Sequence, residues 1–302
     1  VDKEHDLVAD LPTLTAMDAR DALRVPGYVA EELVGFGTSG EVWRGRSLLT
    51  DTAVALKLLA VDDIGDGSRL RRQAARLSAV DHPHLLRIRE VVVAARSSVL
   101  VLDYAAGGSL AVLLRRRGRL RPGEVVTVLA PVAAALAHVH GAGLSHGAVT
   151  PPNILFTVDG RPMLADLGIA ELVGARPDPE TAPGCLDPAV AAGAPPGPAS
   201  DVFMLAAVAV HALTGTLARP GADPGRARGV DGDARLAGLD ATMPAALVRV
   251  LRRALSPVLD ERGTAAELAL DLRHACQPEP VRLVGDTSTG HPARAAAGTT
   301  TA

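Results

Sequence analysis

Cysteine, lysine and net charge are all scarce in this chain. Two cysteines, Cys185 and Cys276, stand far apart and in no metal-ligand spacing. That argues against a disulfide framework or a zinc module and leaves two reduced thiols in a cytoplasmic protein as the expectation. The only lysines are Lys3 and Lys57, against 29 arginines. A net charge of −3 argues against a nucleic-acid or membrane-surface footprint. No apolar run reaches the ~18 residues that a spanning helix needs. The longest, Val202 to Leu213, reads as a buried core helix, and the acidic, mixed N-terminus is unlike a signal peptide. What is present is 48% hydrophobic residues against 22% charged over 302 residues. That predicts a folded chain, long enough for one large domain or two lobes.

Residues 1–27 form an N-terminal extension. It carries an amphipathic stretch, Leu14 to Leu23, that reads either as a helix packed on the domain or as a flexible lead-in. The pattern then turns strand-like: Tyr28 to Val34, Glu41 to Arg46 and Ala53 to Leu59, with a hairpin near residues 49–52. Ser68 to Val80 has apolar positions at Leu70, Ala74, Leu77 and Val80, a helical spacing. Leu85 to Ala94 and Ser98 to Tyr104 read as two more strands. Helices dominate from there: Pro122 to His140, Val202 to Leu213, Pro244 to Ala254 and Ala265 to Cys276. A sheet-rich first third before a helix-rich remainder predicts an α+β protein of two lobes. Residues 277–302, rich in Pro, Gly, Thr and Ala, read as a disordered linker.

Two clusters carry chemistry. Gly35-Phe36-Gly37-Thr38-Ser39-Gly40-Glu41-Val42 is glycine-rich, as ordinary hairpins also are. Strands flank it on both sides and no helix follows, which disfavours a dinucleotide fold and favours a flap over a nucleotide. Val54-Ala55-Leu56-Lys57 follows. Alternation points Lys57 away from Val54 and Leu56, and a buried lysine in a chain that otherwise uses arginine needs an anionic partner such as phosphate.

With His146, Asn153 and Asp166-Leu167-Gly168 following in order, the chain resembles the bacterial serine/threonine protein kinases, of actinobacterial kind by composition. Asp81-His82-Pro83-His84, Leu100 to Tyr104, Ser200 to Phe203 and Asp260 to Ala265 extend the resemblance over about residues 28–275. It implies a bilobal fold, with a β-rich N-lobe and hinge at 28–105 and a helical C-lobe at 106–276. It implies ATP held by Gly35, Gly37, Gly40, Val42, Ala55, Lys57, Leu102 (the gatekeeper), Asp103 and Ala105. Mg²⁺ would be held by Asn153 and Asp166. His146 would be a core residue, and Asp201 a structural acceptor for the catalytic loop.

The chain also departs from the family. The loop His146-Gly147-Ala148-Val149-Thr150-Pro151-Pro152-Asn153 stands where the family has H-R-D-x-K-P-x-N. Ala148 replaces the aspartate that accepts the substrate hydroxyl proton. Thr150 replaces the lysine that balances phosphoryl charge, and Gly147 the arginine that often meets an activation-loop phosphate. Gln73 falls where a helix glutamate pairs with the strand lysine, leaving a neutral hydrogen bond from Gln73, or Glu41, as the expected support. Leu186-Asp187-Pro188-Ala189 replaces A-P-E, so Arg262 must find Asp187, Asp260 or Glu261.

The expectation is a pseudokinase: ATP and Mg²⁺ bound, transfer impaired, and a role as signalling scaffold or allosteric partner of another protein. The alternative is a weakly active serine/threonine kinase with Thr181 as its one activation-loop acceptor. A small-molecule phosphotransferase rests on His146-Gly147 alone, and Ala148 counts against it too. The C-terminal threonines Thr287, Thr289 and Thr299 to Thr301 read as part of a solvated linker.

Overall fold

The computed structural model describes residues 25–37, 40–59, 68–93, 98–169, 184–216, 236, 239 and 243–283. The amphipathic stretch at 14–23, Thr181 and the threonines beyond 284 lie outside them.

The first part is a five-stranded antiparallel sheet in the order β1-β2-β3-β5-β4. Its strands are β1 (Tyr28–Gly37), β2 (Gly40–Ser47), β3 (Ala53–Leu59), β4 (Ile88–Val93) and β5 (Ser98–Asp103). β3 lies between β2 and β5 and is covered on both faces, so Val54, Ala55, Leu56 and Lys57 are all buried. Period-two alternation sorts them. Val54 and Leu56 join Trp43, Val99 and Val101 in one cluster. Ala55 and Leu59 join Leu100 and Leu102 in the main core. Lys57 therefore belongs to the cleft-side face, as the alternation in the sequence predicts.

The helix α1 (Ser68–Ser78) buries Leu70, Ala74 and Leu77, spaced so as to share one face. The segment after it stitches the two lobes together. Leu164 donates its N–H to the His84 carbonyl (2.8 Å), and Leu86 donates to the Leu164 carbonyl (2.8 Å).

The second lobe is built on α3 (Pro122–Gly141) and α5 (Pro198–Thr214). Both are apolar around most of their circumference because both are enclosed. α3 is long and apolar enough to cross a membrane, the length the apolar runs in the sequence do not reach, yet most of its apolar window is buried in the protein. That is the environment of a core helix. Around the pair lie α2 (Leu110–Arg117), α4 (Pro188–Ala191), α6 (Ala245–Ala254) and α7 (Ala265–Ala275), with the short hairpin β6 (Ile154–Phe156) and β7 (Pro162–Leu164) at the lobe boundary. α7 opens on a capping box: Glu267 donates its backbone N–H to Thr264 Oγ1 (3.2 Å), and Thr264 donates its own to Glu267 Oε2 (2.7 Å).

The C-terminal linker expected at 277–302 does not begin at 277. Residues 277–283 lie along the start of α3. Glu279 donates its backbone N–H to the Gly123 carbonyl (3.1 Å) and accepts Thr127 Oγ1 at its own carbonyl (2.7 Å). Arg121 pairs with its carboxylate at 2.6 Å. The approach is close enough that a Cβ on Gly123 would sit 2.5 Å from the Gln277 carbonyl oxygen. Composition gave the polar character of this stretch but not its docking, because the receptor is a glycine 154 positions upstream.

Candidate functional site

Lys57 is 2% exposed. Its ammonium donates to Asp166 Oδ2 at 2.5 Å, 109 positions away in the chain. Asp166 has φ of +67°, a region that non-glycine residues rarely occupy and that concentrates at functional sites. Gly168, also at positive φ, lies under α1: a Cβ there would sit 2.8 Å from Leu77 Cδ2. The helix is thus packed directly onto the Asp166-Leu167-Gly168 turn.

Neither of the neutral or acidic supports expected for Lys57 holds it. No hydrogen bond joins the half-buried Gln73 to Lys57 among the described residues, and Glu41 instead accepts Trp43 Nε1 at 2.9 Å. The sequence motifs place Lys57 and Asp166 in one site but do not reveal that they pair. The signal was the loss of charge at Gln73, which leaves Asp166 as the anion within reach.

β6 and β7 bring Asn153 and Asp166 together. Asn153 precedes β6, Ala165 follows β7, and the Ala165 N–H donates to the Asn153 carbonyl (2.8 Å). Asn153 Nδ2 donates to the Ala148 carbonyl (2.8 Å), which turns Oδ1 the other way. Among the described residues, no group of three or more His, Cys, Asp or Glu is arranged to hold a metal. Oδ1 of Asn153 and Oδ1 of Asp166 are hard oxygen donors, and two such ligands completed by phosphate and water suit Mg²⁺.

The catalytic loop hangs from Asp201 on α5. Its buried carboxylate accepts the backbone N–H of His146 (2.7 Å) and of Gly147 (2.8 Å), and contacts His140 Nε2 at 2.9 Å. His146 Nε2 meets the Ala165 carbonyl at 2.8 Å, so this histidine spans the loop and the Asp166 turn. Ala148 is half-buried, Thr150 is buried, and neither side chain supplies a base or a cation.

Above the cleft, β1 and β2 form the glycine hairpin, with Gly35 opposite Val42 and Gly37 opposite Gly40. Residues 38–39 lie outside the described part. Ala55 faces Leu102 across the ladder, and both are buried. The Asp103 carboxylate is turned to the surface, where Arg89 Nε holds it at 2.6 Å, and its N–H donates to the Arg87 carbonyl (3.1 Å), so its backbone carbonyl is what is left for a nucleotide. Ala105 packs half-buried against the core.

Arg262, 3% exposed, takes Asp187 from the three carboxylates offered by the sequence. The pair is bidentate, Nη1 to Oδ2 at 2.5 Å and Nη2 to Oδ1 at 3.2 Å. Arg262 also donates to the Ser256 carbonyl (2.8 Å) and lies over the Phe203 ring. Glu261 is occupied by Ser256 Oγ. Asp187 stands two positions before the family's glutamate and fills its role from the N-cap of α4.

Burial holds the imidazoles of His82, His146 and His211 below their ordinary pKa. For His146 it outweighs the upward pull of Asp201, the Ala165 carbonyl and Asp166. For His82, His84 and His138 push the same way as burial and Asp81 opposes them. A folded pKa below the unfolded one means that the unfolded chain takes up more protons. The stability from keeping these rings neutral is complete above the unfolded value of about 6.5 and declines as pH falls through it toward the folded value. The melting temperature is expected to drop between about pH 7 and pH 5; a flat or rising profile would contradict this burial.

A lysine on the third strand of a five-stranded sheet, an ordered Asp-Leu-Gly turn beneath a helix, and a loop anchored on a buried helix aspartate together define a protein kinase domain. Residues 28–239 match the protein kinase domain family, and the chain belongs to it. Among characterised relatives it is similar to the serine/threonine-protein kinase PkaB of Streptomyces coelicolor, 34% identical over 214 residues, covering 66% of this chain and 51% of that protein. It is likewise similar to PknK of Mycobacterium tuberculosis, 35% identical over 288 residues, covering 89% of this chain and 25% of that protein. PkaA of Streptomyces coelicolor is 32% identical over 273 residues, covering 82% and 49%. The chain thus spans about half or less of the length of these relatives.

Proposed function

We propose that this kinase domain binds ATP with Mg²⁺, transfers the phosphoryl group poorly, and works in signalling through a protein partner that senses its nucleotide state. The observation that carries the reading is Ala148. A hydroxyl presented to the cleft meets a methyl group where the family presents a carboxylate. Among the described carboxylates near the loop, Asp201 is taken by the loop backbone and Asp187 by Arg262, while Asp166 holds Lys57 through Oδ2 and keeps Oδ1 on the metal side.

Binding draws on residues the chain retains. The glycine hairpin covers the phosphates, and Lys57 reaches them. Leu102 and Ala55 bound the base side, and the backbone at Asp103 and Ala105 meets the base edge. Asn153 and Asp166 would hold Mg²⁺, which when bound neutralises phosphate charge. Occupancy fixes how the lobes close, and a partner with unequal affinity for the two states reads it. Cys185 and Cys276 form no disulfide, which suits the cytoplasm.

A second reading, a slow serine/threonine kinase, is supported by the names of the relatives and by the retained Lys57, Asn153 and Asp166. Phosphoryl transfer leans on positioning and electrostatics, so loss of a base lowers it without a requirement that it vanish.

Saturating MgATP is expected to raise the melting temperature by several degrees, since ligand at ~100 Kd contributes about 2.7 kcal/mol. The shift, measured against each protein's own apo state, is expected to disappear in Lys57→Met. No shift at millimolar ATP would end the nucleotide reading.

A further inference from the structure

The neutral residue at 73 has a consequence for the metal. Where α1 carries no acid, the strand lysine must find its counter-ion elsewhere, because a buried ammonium without one is strongly disfavoured. Lys57 finds it in Asp166, the carboxylate that should serve the cation. Gln73 lies one turn before Leu77 on the same helix, and Leu77 rests on Gly168. Residues four apart share a helix face, so position 73 looks toward the cleft. Glu41 is engaged with Trp43, and Ala148, Thr150 and Asn153 carry no charge. Among the described residues, Lys57 and Asp166 therefore sum to zero fixed charge as a pair. A glutamate at 73 would make that sum −1.

We propose that Gln73 makes the metal dispensable: by leaving Asp166 as the counter-ion of Lys57, it sets this domain to bind ATP with little dependence on divalent cation. The inference rests on the nucleotide reading above. A divalent ion entering a neutral site that already holds an ammonium on its carboxylate gains less than one entering a site of net negative charge. Replacing Gln73 by glutamate supplies Lys57 with its own anion, frees Asp166, and converts the site to metal-dependent binding. Gln73 is thus a positioning residue that acts through Lys57.

The test has two arms on Gln73→Glu and the parent chain. The first uses no nucleotide. Asp166→Asn is expected to lower the parent's melting temperature by more than about 5 °C, because Lys57 is left unpaired. In the Gln73→Glu background the same change is expected to cost less than about 2 °C, because the introduced glutamate has taken the lysine over. Equal losses in the two backgrounds would overturn the partner assignment. The second arm titrates ATP by calorimetry in excess EDTA and in Mg²⁺. The parent's Kd is expected to change less than about threefold, and that of Gln73→Glu to tighten at least about tenfold with metal. A tenfold or larger metal effect in the parent overturns the proposal while leaving ATP binding intact. Failure to bind ATP in all four titrations overturns the nucleotide reading and the metal clause with it, and the unfolding cycle still decides which carboxylate holds Lys57.

Discussion

Ala148→Asp combined with Thr150→Lys is expected to raise phosphoryl transfer by about 10²–10⁴-fold over the parent chain. The site is prepared for the exchange. The Ala148 carbonyl is held by Asn153 Nδ2, and its N–H points to His146 Nδ1 at 3.3 Å. The loop backbone on either side hangs from Asp201 and from the one-turn helix at Pro151–Asn153. An aspartate side chain at 148 therefore starts from a fixed Cβ at the cleft, within the same loop as Asn153, the proposed Mg²⁺ ligand. The two substitutions act as a unit, so neither single change is expected to recover its arithmetic share. Single-turnover transfer from labelled ATP to a generic serine or threonine peptide measures the gain. An unchanged rate would move the defect away from the catalytic loop.

Asp187→Ala is expected to destabilise the domain by about 3–5 kcal/mol, the usual result of stripping one partner from a buried ion pair. Arg262 stays behind, 3% exposed, with a charge and no anion. The same substitution also removes the cap that accepts the Ala189 N–H at 3.0 Å, which adds about 1 kcal/mol. For a domain of this size the sum corresponds to a loss of ~10 °C or more in melting temperature. Adding Arg262→Met to Asp187→Ala is expected to recover much of it, because the orphaned charge goes too. A urea unfolding series reads all three proteins, and a loss under about 1 kcal/mol for Asp187→Ala would show that the pair holds little.

The architecture was largely legible from residues 28–275 because its signatures are local. Glycines at hairpin positions, a lysine alternating with valine and leucine, and apolar residues at helical spacing each declare an element without reference to the rest of the chain. Asp201 was legible through the family resemblance, which implies an acceptor for the catalytic loop, and it accepts the backbone N–H groups of His146 and Gly147. The misses lie where two distant segments decide the outcome together. Lys57 had Gln73, Glu41 and phosphate as sequence candidates, and the fold gave it Asp166 across 109 positions. Arg262 had three, and the fold chose Asp187 across 75. α2 went unread because eight residues carry little periodicity; its signal was Gly107-Gly108 followed by Ser109, whose Oγ caps the Val112 N–H at 3.2 Å. The docking of 277–283 was invisible for a similar reason: it depends on the absence of a side chain at Gly123, and composition does not record which glycines face a neighbour.

The most direct test puts ATP binding and phosphate transfer on one preparation of the parent chain, with Asp166→Asn as the background control. Saturable nucleotide binding is predicted together with a transfer rate indistinguishable from that control. Transfer well above the control, abolished by Asp166→Asn, would show that the loop turns over substrate without an acid at 148 and would contradict the account.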